Sequence, residues 1–334
     1  MKKLSFWLAG ALAVIITAIG MQGQTTQAAQ GASFTVEPVL TKNQVGMDNS
    51  YYNLLLKPGQ KQQLAVKVTN LTNKPKRIRV EPTNAGTTDS VQVTYAQDTP
   101  RDSSAKYRLT DLVGKGLTLK LPANATQMVN FTVATPNKGF RGVILGAIHA
   151  EDLANYQSGG KGVKIVNKFA MNIGVMLQTS MARVNPDLKM HQVGAHLKSN
   201  QAAVTARLQN DQPRLVGKMK MVAKVTRQGS RDVLLKQAGT NLAVAPNSHF
   251  DYTLYSQKAL RPGNYTMTIT ASSQQSHWHF KRNFTITRQQ ATKINKQAHL
   301  KTEIPWMWII VGVLAAIIVI LIGLLLVLVR RRKD

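Results

Sequence analysis

Few side chains in this chain could do chemistry, and most stand at spacings that fail the reaction they would serve. The pattern S-x-x-K gives penicillin-binding enzymes a serine nucleophile near a lysine, and it occurs at Ser103 to Lys106 and at Ser158 to Lys161. Both copies lie in polar stretches, not at the start of an apolar helix, and the partner motifs S-D-N and K-T-G are missing. H-E-x-x-H and G-x-S-x-G are also missing, as is the L-P-x-T-G sortase signal, and Gly114-Lys115-Gly116 is too short for a phosphate loop. Zero Cys removes thiolate nucleophiles, Cys-ligated metals and disulfides together. Glu151-Asp152 is the one adjacent acidic pair in the long middle of the chain, and it reads as a solvated strand exit, not as the paired carboxylates of a glycosidase. His277 and His279 share one face of an alternating segment around Trp278 and could offer two imidazoles to a metal, but no third ligand accompanies them. His191 and His196 fare no better. The expectation is a protein with no catalytic residue, no metal and no cofactor.

Charge points to binding. The formal net charge is +28. Setting aside Lys2, Lys3, Arg330, Arg331, Arg332, Lys333 and Asp334 at the two ends leaves 37 basic and 14 acidic side chains, about +23. Such a field attracts polyanions, which outside a cell means anionic wall polymers, lipid head groups or host glycans. Nucleic acid is not expected as a partner, since no recognition-helix motif accompanies the charge.

The two ends explain why the setting is extracellular. Lys2 and Lys3, an apolar run from Leu4 to Met21 and small residues at Ala28 and Ala29 read as a signal peptide over 1–28. Ile309 to Val329 is an uncharged run of 21 residues, about enough helix at 1.5 Å per residue to cross a hydrocarbon core of roughly 30 Å. Trp306 and Trp308 fit an interfacial belt, and the basic cluster at 330–333 marks a cytoplasmic side. The expected arrangement is one membrane helix over 306–329, a cytoplasmic tail over 330–334, and everything before it displayed outside.

The elements between these ends alternate with period two. Leu64, Val66 and Val68 form one such run, Val129, Phe131 and Val133 another, and Phe169, Met171, Ile173, Val175 and Leu177 a third. Met219, Met221, Ala223 and Val225 follow, then Tyr265, Met267 and Ile269. This is the pattern of half-buried antiparallel strands, separated by turn signals such as Pro58-Gly59, Pro122-Ala123-Asn124 and Pro262-Gly263. Val143 to Ile148 is apolar on both faces, as suits a central strand, and Gly142 and Gly146 leave room there for a close backbone approach.

The same order occurs twice. A strand ends at Asn70, then comes a Pro122-Ala123-Asn124 turn, a strand and a Gly142 turn; later a strand ends at Asn210, followed by Pro246-Asn247, a strand and Pro262-Gly263. The spacing is longer in the first half, which implies a polar insertion over 85–116. The fold expected is all-β: two tandem immunoglobulin-like β-sandwiches over 33–153 and 163–287. Ser158-Gly159-Gly160 reads as a flexible link between them, and 288–305 as a polar linker up to the membrane.

Several segments resemble the WxL-interacting protein family of Gram-positive bacteria. They are Tyr51-Tyr52-Asn53-Leu54 leading into Lys57-Pro58-Gly59-Gln60, then Gly142-Val143-Ile144-Leu145-Gly146, Ala245-Pro246-Asn247-Ser248 with Phe250, and Leu260-Arg261-Pro262-Gly263-Asn264-Tyr265. The resemblance implies a surface adaptor without enzymatic activity. Its first domain would bind peptidoglycan, and its second WxL-domain surface proteins or host matrix ligands. On that footing Tyr51, Tyr52 and Asn53 are candidates for contact with glycan, and Lys218, Lys220 and Lys224 for contact with the protein partner. Competing expectations are an enzyme or accessory subunit of wall metabolism, and a host-matrix adhesin with no role at the wall.

Overall fold

The structure, a computed structural model, describes residues 33–46, 50–154, 156–158, 165–274, 276–300 and 306–331. The expected signal peptide lies outside the described residues. The first unit runs through β1 (Phe34–Val39), β2 (Tyr52–Leu55), β3 (Lys61–Asn70), β4 (Lys76–Asn84), β5 (Gly86–Thr87), β6 (Val93–Thr94), a one-turn helix α1 (Leu109–Leu112), β7 (Leu117–Leu121), β8 (Thr126–Ala134), β9 (Ile144–Asp152), β10 (Tyr156–Ser158), β11 (Ile165–Asn167) and β12 (Ala170–Gln178). The second runs through β13 (Lys189–Lys198), β14 (Gln201–Asn210), β15 (Val216–Arg227), β16 (Val233–Val244), β17 (Ser248–Tyr255), β18 (Gly263–Ser273) and β19 (Ser276–Ile286). Helices α2 (Arg288–Gln297) and α3 (Trp306–Arg331) follow.

Each unit has two sheets that feed one core. In the first, β1-β3-β8 faces β2-β12-β9-β4-β7. The alternating residues of both sheets, among them Val66, Val68 and Phe131 on one and Ile78, Ile148 and Val175 on the other, form a single buried cluster. In the second, β13-β14-β17 faces β16-β15-β18-β19 around Leu208, Met219, Met221, Met267 and Ile269. The two topologies superpose in order: β3, β4, β8, β9 and β12 of the first unit take the positions of β14, β15, β17, β18 and β19 in the second. The first unit adds β2, which pairs in parallel with β12.

One pairing crosses the expected domain divide: β12, within the span expected for the second sandwich, pairs antiparallel with β9 from Ala170 opposite Glu151 to Leu177 opposite Ile144, inside the first unit's sheet. Tyr156 to Ser158 pair antiparallel with Ile165 to Asn167 in the short ribbon β10–β11, while Gly159 and Gly160 of the expected link lie outside the described residues. The crossing between units comes later, at residues 179–188, where Val184 and Leu188 are buried.

The repeated asparagines do the same work in both units. Asn70 Nδ2 donates to the carbonyls of Lys74 and Pro122, each at 2.8 Å, while its Oδ1 accepts from Thr72 N–H at 3.0 Å. Asn210 Nδ2 donates to the carbonyls of Arg214 at 2.8 Å and Ala245 at 2.9 Å, and its Oδ1 accepts from Gln212 N–H at 3.2 Å. Each buried amide ties its own turn to the turn that precedes the next strand. Asn124 and Asn247, in those following turns, both have positive φ, a conformation Asn tolerates better than most side chains.

The segment after β19 also departs from expectation. Residues 288–297 are not an extended spacer but helix α2, whose Thr287 accepts from Gln290 N–H in a capping box. Ala291 and Ile294 pack into the second core, and Asn295 brackets Leu260 by hydrogen bonds to its N–H and C=O. Leu300 also packs there. α3 is one continuous helix over the apolar C-terminal run. Among the described residues no helix is long and apolar enough to cross a membrane.

Candidate functional site

The insertion 85–116 reaches out of the first unit and lies along the second, where it closes the open side between the β16 and β17 edges. Thr87 Oγ1 shares a 2.6 Å hydrogen bond with Ser248 Oγ and accepts from Ala245 N–H at 2.9 Å. Asp89 Oδ1 accepts from Asp251 N–H on the β17 edge at 3.0 Å, and Lys198 reaches Asp89 Oδ2 at 3.0 Å. Between these contacts Val91 is fully buried in the second unit's core, its carbonyl accepting from Ala243 N–H at 3.0 Å. Its φ of +59° is costly for a β-branched residue, and burial of the side chain offsets that strain.

A carboxylate holds the base of this clamp. Asp102 of the insertion accepts from Ser104 Oγ at 2.6 Å, Ser104 N–H at 2.9 Å, Gln209 Nε2 at 2.7 Å and the His249 ring at 2.6 Å. Burial pushes the Asp102 carboxyl up, but the bonds from Ser104, His249 and Gln209 outweigh it and hold the group below the usual carboxylate range. Asn247 donates to Ser104 from the opposite side. At the other contact, Gly142 sits at φ +75° with Val143 N–H donating to the Pro213 carbonyl at 2.7 Å. A Cβ on Gly142 would fall 2.2 Å from that carbonyl oxygen, so the expected close approach at this glycine joins one unit to the other. Gly146 makes the second such approach, to the Thr83 carbonyl within the sheet.

Between insertion and β17 lies a groove of about 280 Å³, lined by Thr94, Asp98, Thr99, Arg207, His249 and Asp251 among others. Hydroxyls, acids and a cation mixed in this way suit a polar, hydroxyl-bearing ligand. Burial pushes the Asp251 carboxyl up, but the paired Arg207 at 3.0 Å and Lys198 bring it below its ordinary value. None of these groove residues stood out in the sequence, because they come from two segments more than 100 residues apart and only the clamp brings them together.

The expected glycan contacts divide. Tyr52 is fully buried, and its hydroxyl donates to the Ala65 carbonyl and accepts from Val39 N–H at 3.2 Å. Burial pushes its phenol up to about 12. It is a core residue, and its expected contact with glycan is corrected. Asn53 is half-buried, its amide donating to Val45 O at 2.8 Å and accepting from Gln178 at 3.2 Å. Tyr51 is half-buried over Gly174. Its neighbour in the field is Tyr95 of the insertion, whose phenol is pushed up by burial and further by Tyr51. All three lysines are exposed on β15, Lys220 and Lys224 on its outer face and Lys218 in a bulge at φ +52°. Pairing adds two cations the sequence order hid: Lys236 lies opposite Lys224 on β16, and Lys281 lies opposite Thr268 on β19. The four strands of this sheet contain no acidic residue.

The remaining chemistry-bearing groups fall into ion pairs or onto the exposed surface. Asp152 is fully buried, accepting from Ser33 Oγ at 3.1 Å and pairing with Lys76 at 2.6 Å, so the expected solvated strand exit is corrected to a buried ion pair. Glu151 pairs with Lys168 at 3.0 Å. His277 and His279 are exposed, while Trp278 packs on the core. Among the described residues no group of three or more His, Asp or Glu could hold a metal ion.

Two clamped all-β units, each built on its own core, make a tandem two-domain protein. Residues 34–152 match the family model of the WxL Interacting Protein peptidoglycan binding domain, and residues 160–296 match that of its host binding domain. The chain belongs to the WxL-interacting protein family. Both matched domains are binding domains. Comparison with curated proteins gives no match. Among solved structures the chain is similar to the class 5 fimbriae chaperone CfaA (11% identity, 75% of this chain and 98% of that one, TM-score 0.28). It is also similar to the Salmonella enterica SafA pilin in complex with the SafB chaperone (14%, 76% and 98%, TM-score 0.28) and to the E. coli chaperone DraB (11%, 76% and 98%, TM-score 0.27). At these scores the likeness carries no argument.

Proposed function

We propose that this protein is a non-enzymatic adaptor on a Gram-positive cell surface. Its first unit grips peptidoglycan, its second captures WxL-domain surface proteins or host ligands, and α3 tethers both to the membrane as a single-pass anchor with a cytoplasmic C-terminus. Both units are taken as immunoglobulin-like sandwiches. The observation that carries the reading is that two domains matched to binding families stand on one chain and are locked to each other through Val91 and Asp102. A lock of this kind suits a scaffold that holds two ligands at a fixed distance. The membrane anchor is supported by the uncharged run within α3 and the basic residues that close it.

The half-buried Tyr51 is the residue of the original triplet best suited to stack on a sugar. For the partner, the acid-free sheet face bearing Lys220, Lys224, Lys236 and Lys281 offers a cationic surface on the second unit. The test is a co-sedimentation of the full chain with purified wall in the presence of a WxL-domain protein. The adaptor brings the partner down with the wall. Wall sedimentation without partner, or release of wall fragments on incubation, would overturn the reading.

A further inference from the structure

The second unit has two ends, and they face different things. At one, Pro213, Ala245 and Asn247 meet the first unit. At the other lie the β15–β16 turn at 228–232, the β17–β18 connection at 256–262 and α2, which the pairings of Arg227 with Tyr265 and of Gly263 with Ile286 bring to the same edge. α3 follows from this second end. Leu300 is packed on the core and α3 begins at Trp306, so the intervening chain reaches at most about 20 Å even when fully extended.

This end is strongly basic. Arg231, Lys258, Arg261, Arg288, Lys293 and Lys296 are all exposed, and Asp232 is the one acid in the three segments that form it. Val233 and Leu234, at 47% and 51% exposure, are apolar side chains just above the turn. α2 turns one face inward through Ala291 and Ile294 and leaves Lys293 and Lys296 on the other. An electrostatic attraction to a surface fades within about 10 Å at ordinary salt, so charges matter only if the chain holds them close. The short reach from Leu300 keeps this end near enough to the start of α3 for the two surfaces to meet.

We propose that the α2 end of the second unit docks on the anionic lipid head groups of the membrane that anchors the chain, through Arg231, Lys258, Arg288, Lys293 and Lys296. This rests on the reading of α3 as a membrane anchor. Docking fixes the ectodomain's base against the bilayer and directs the first unit outward.

The chain has no native Cys, so one label can be placed cleanly. The experiment uses the full chain carrying Ser230→Cys with a spin label, in nanodiscs of phosphatidylcholine alone or mixed with phosphatidylglycerol. The label's exposure to a water-soluble nickel chelate should fall in the anionic discs. It should recover at high salt and in the variant that adds Arg231→Glu, Lys293→Glu and Lys296→Glu. A control label at Asn73→Cys, in the turn after β3 at the far end of the first unit, should stay exposed in both. Equal exposure of the Ser230 label in the two lipids overturns the docking while leaving the anchor intact. Failure of the chain to enter nanodiscs overturns the anchor and the docking together.

Discussion

The carboxylate of Asp102, from the first unit's insertion, lies 2.6 Å from the His249 ring of the second unit, with Gln209 and Ser104 donating to the other oxygen. One nearly buried acid thus gathers donors from both units. Replacing Asp102 by Ala leaves those donors without their acceptor. The expected loss is about 2–4 kcal/mol, carried by the contact between units. Calorimetry should show one cooperative transition in the parent and two in Asp102→Ala. His249→Ala, a half-exposed partner, should cost less, about 1 kcal/mol.

The same carboxylate sets an acid limit. Its folded pKa lies below its ordinary value of 3.8, so its contribution is fully present above that value and is lost as pH falls through the lower, folded one. Asp211 and Asp251 shift in the same direction. Stability followed by circular dichroism should stay flat on descent towards pH ~4 and fall below it. Asp102→Asn should flatten that acid limb; an unchanged limb would show that Asp102 does not govern it.

Val91 tests the clamp from its apolar side. Val91→Ala should destabilise by about 1–3 kcal/mol through the cavity left in the second core. Val91→Gly relieves the positive φ yet empties the same space, so it should be no better than Ala. Val91→Asp should open the seam, read as faster amide exchange at Ala243 and along the β17 edge.

The tyrosines should separate binding from folding. Tyr52→Phe loses the hydrogen bonds to Val39 and Ala65 and should cost about 1–2 kcal/mol with wall binding unchanged. Tyr51→Ala should leave the melting temperature nearly unchanged and weaken sedimentation with purified wall. Undiminished sedimentation would remove Tyr51 from the glycan surface.

Reversing Lys220, Lys224, Lys236 and Lys281 to Glu should leave folding intact, since all four are exposed, and abolish capture of a WxL-domain partner. Retained capture would move the partner site off this sheet face.

Much of the architecture was legible because period two is a local signal: the residues that alternate in Leu64–Val68 or Met219–Val225 are those that fill the cores. The repeated Asn70 and Asn210 were also visible, though their shared hydrogen bonding was not. What stayed hidden is what depends on distant pairing. Nothing near Ser158 shows that β12 returns to the first unit's sheet; that is decided by Ala170 meeting Glu151. Val91 reads as an ordinary strand residue until its backbone turns to positive φ and carries it into the neighbouring unit. Helix α2 did leave a trace, the Thr287-x-x-Gln290 box, but its apolar stripe is too narrow to stand out from the polar residues around it.

The insertion gives the two units a second bridge beside the covalent crossing at 179–188. A single crossing would act as a hinge, free to swing and twist. With Val91 seated and Gly142 pressed on Pro213, torque applied at the outer end travels to the base through two parallel struts, so a pull on the wall side loads the pair as a single lever.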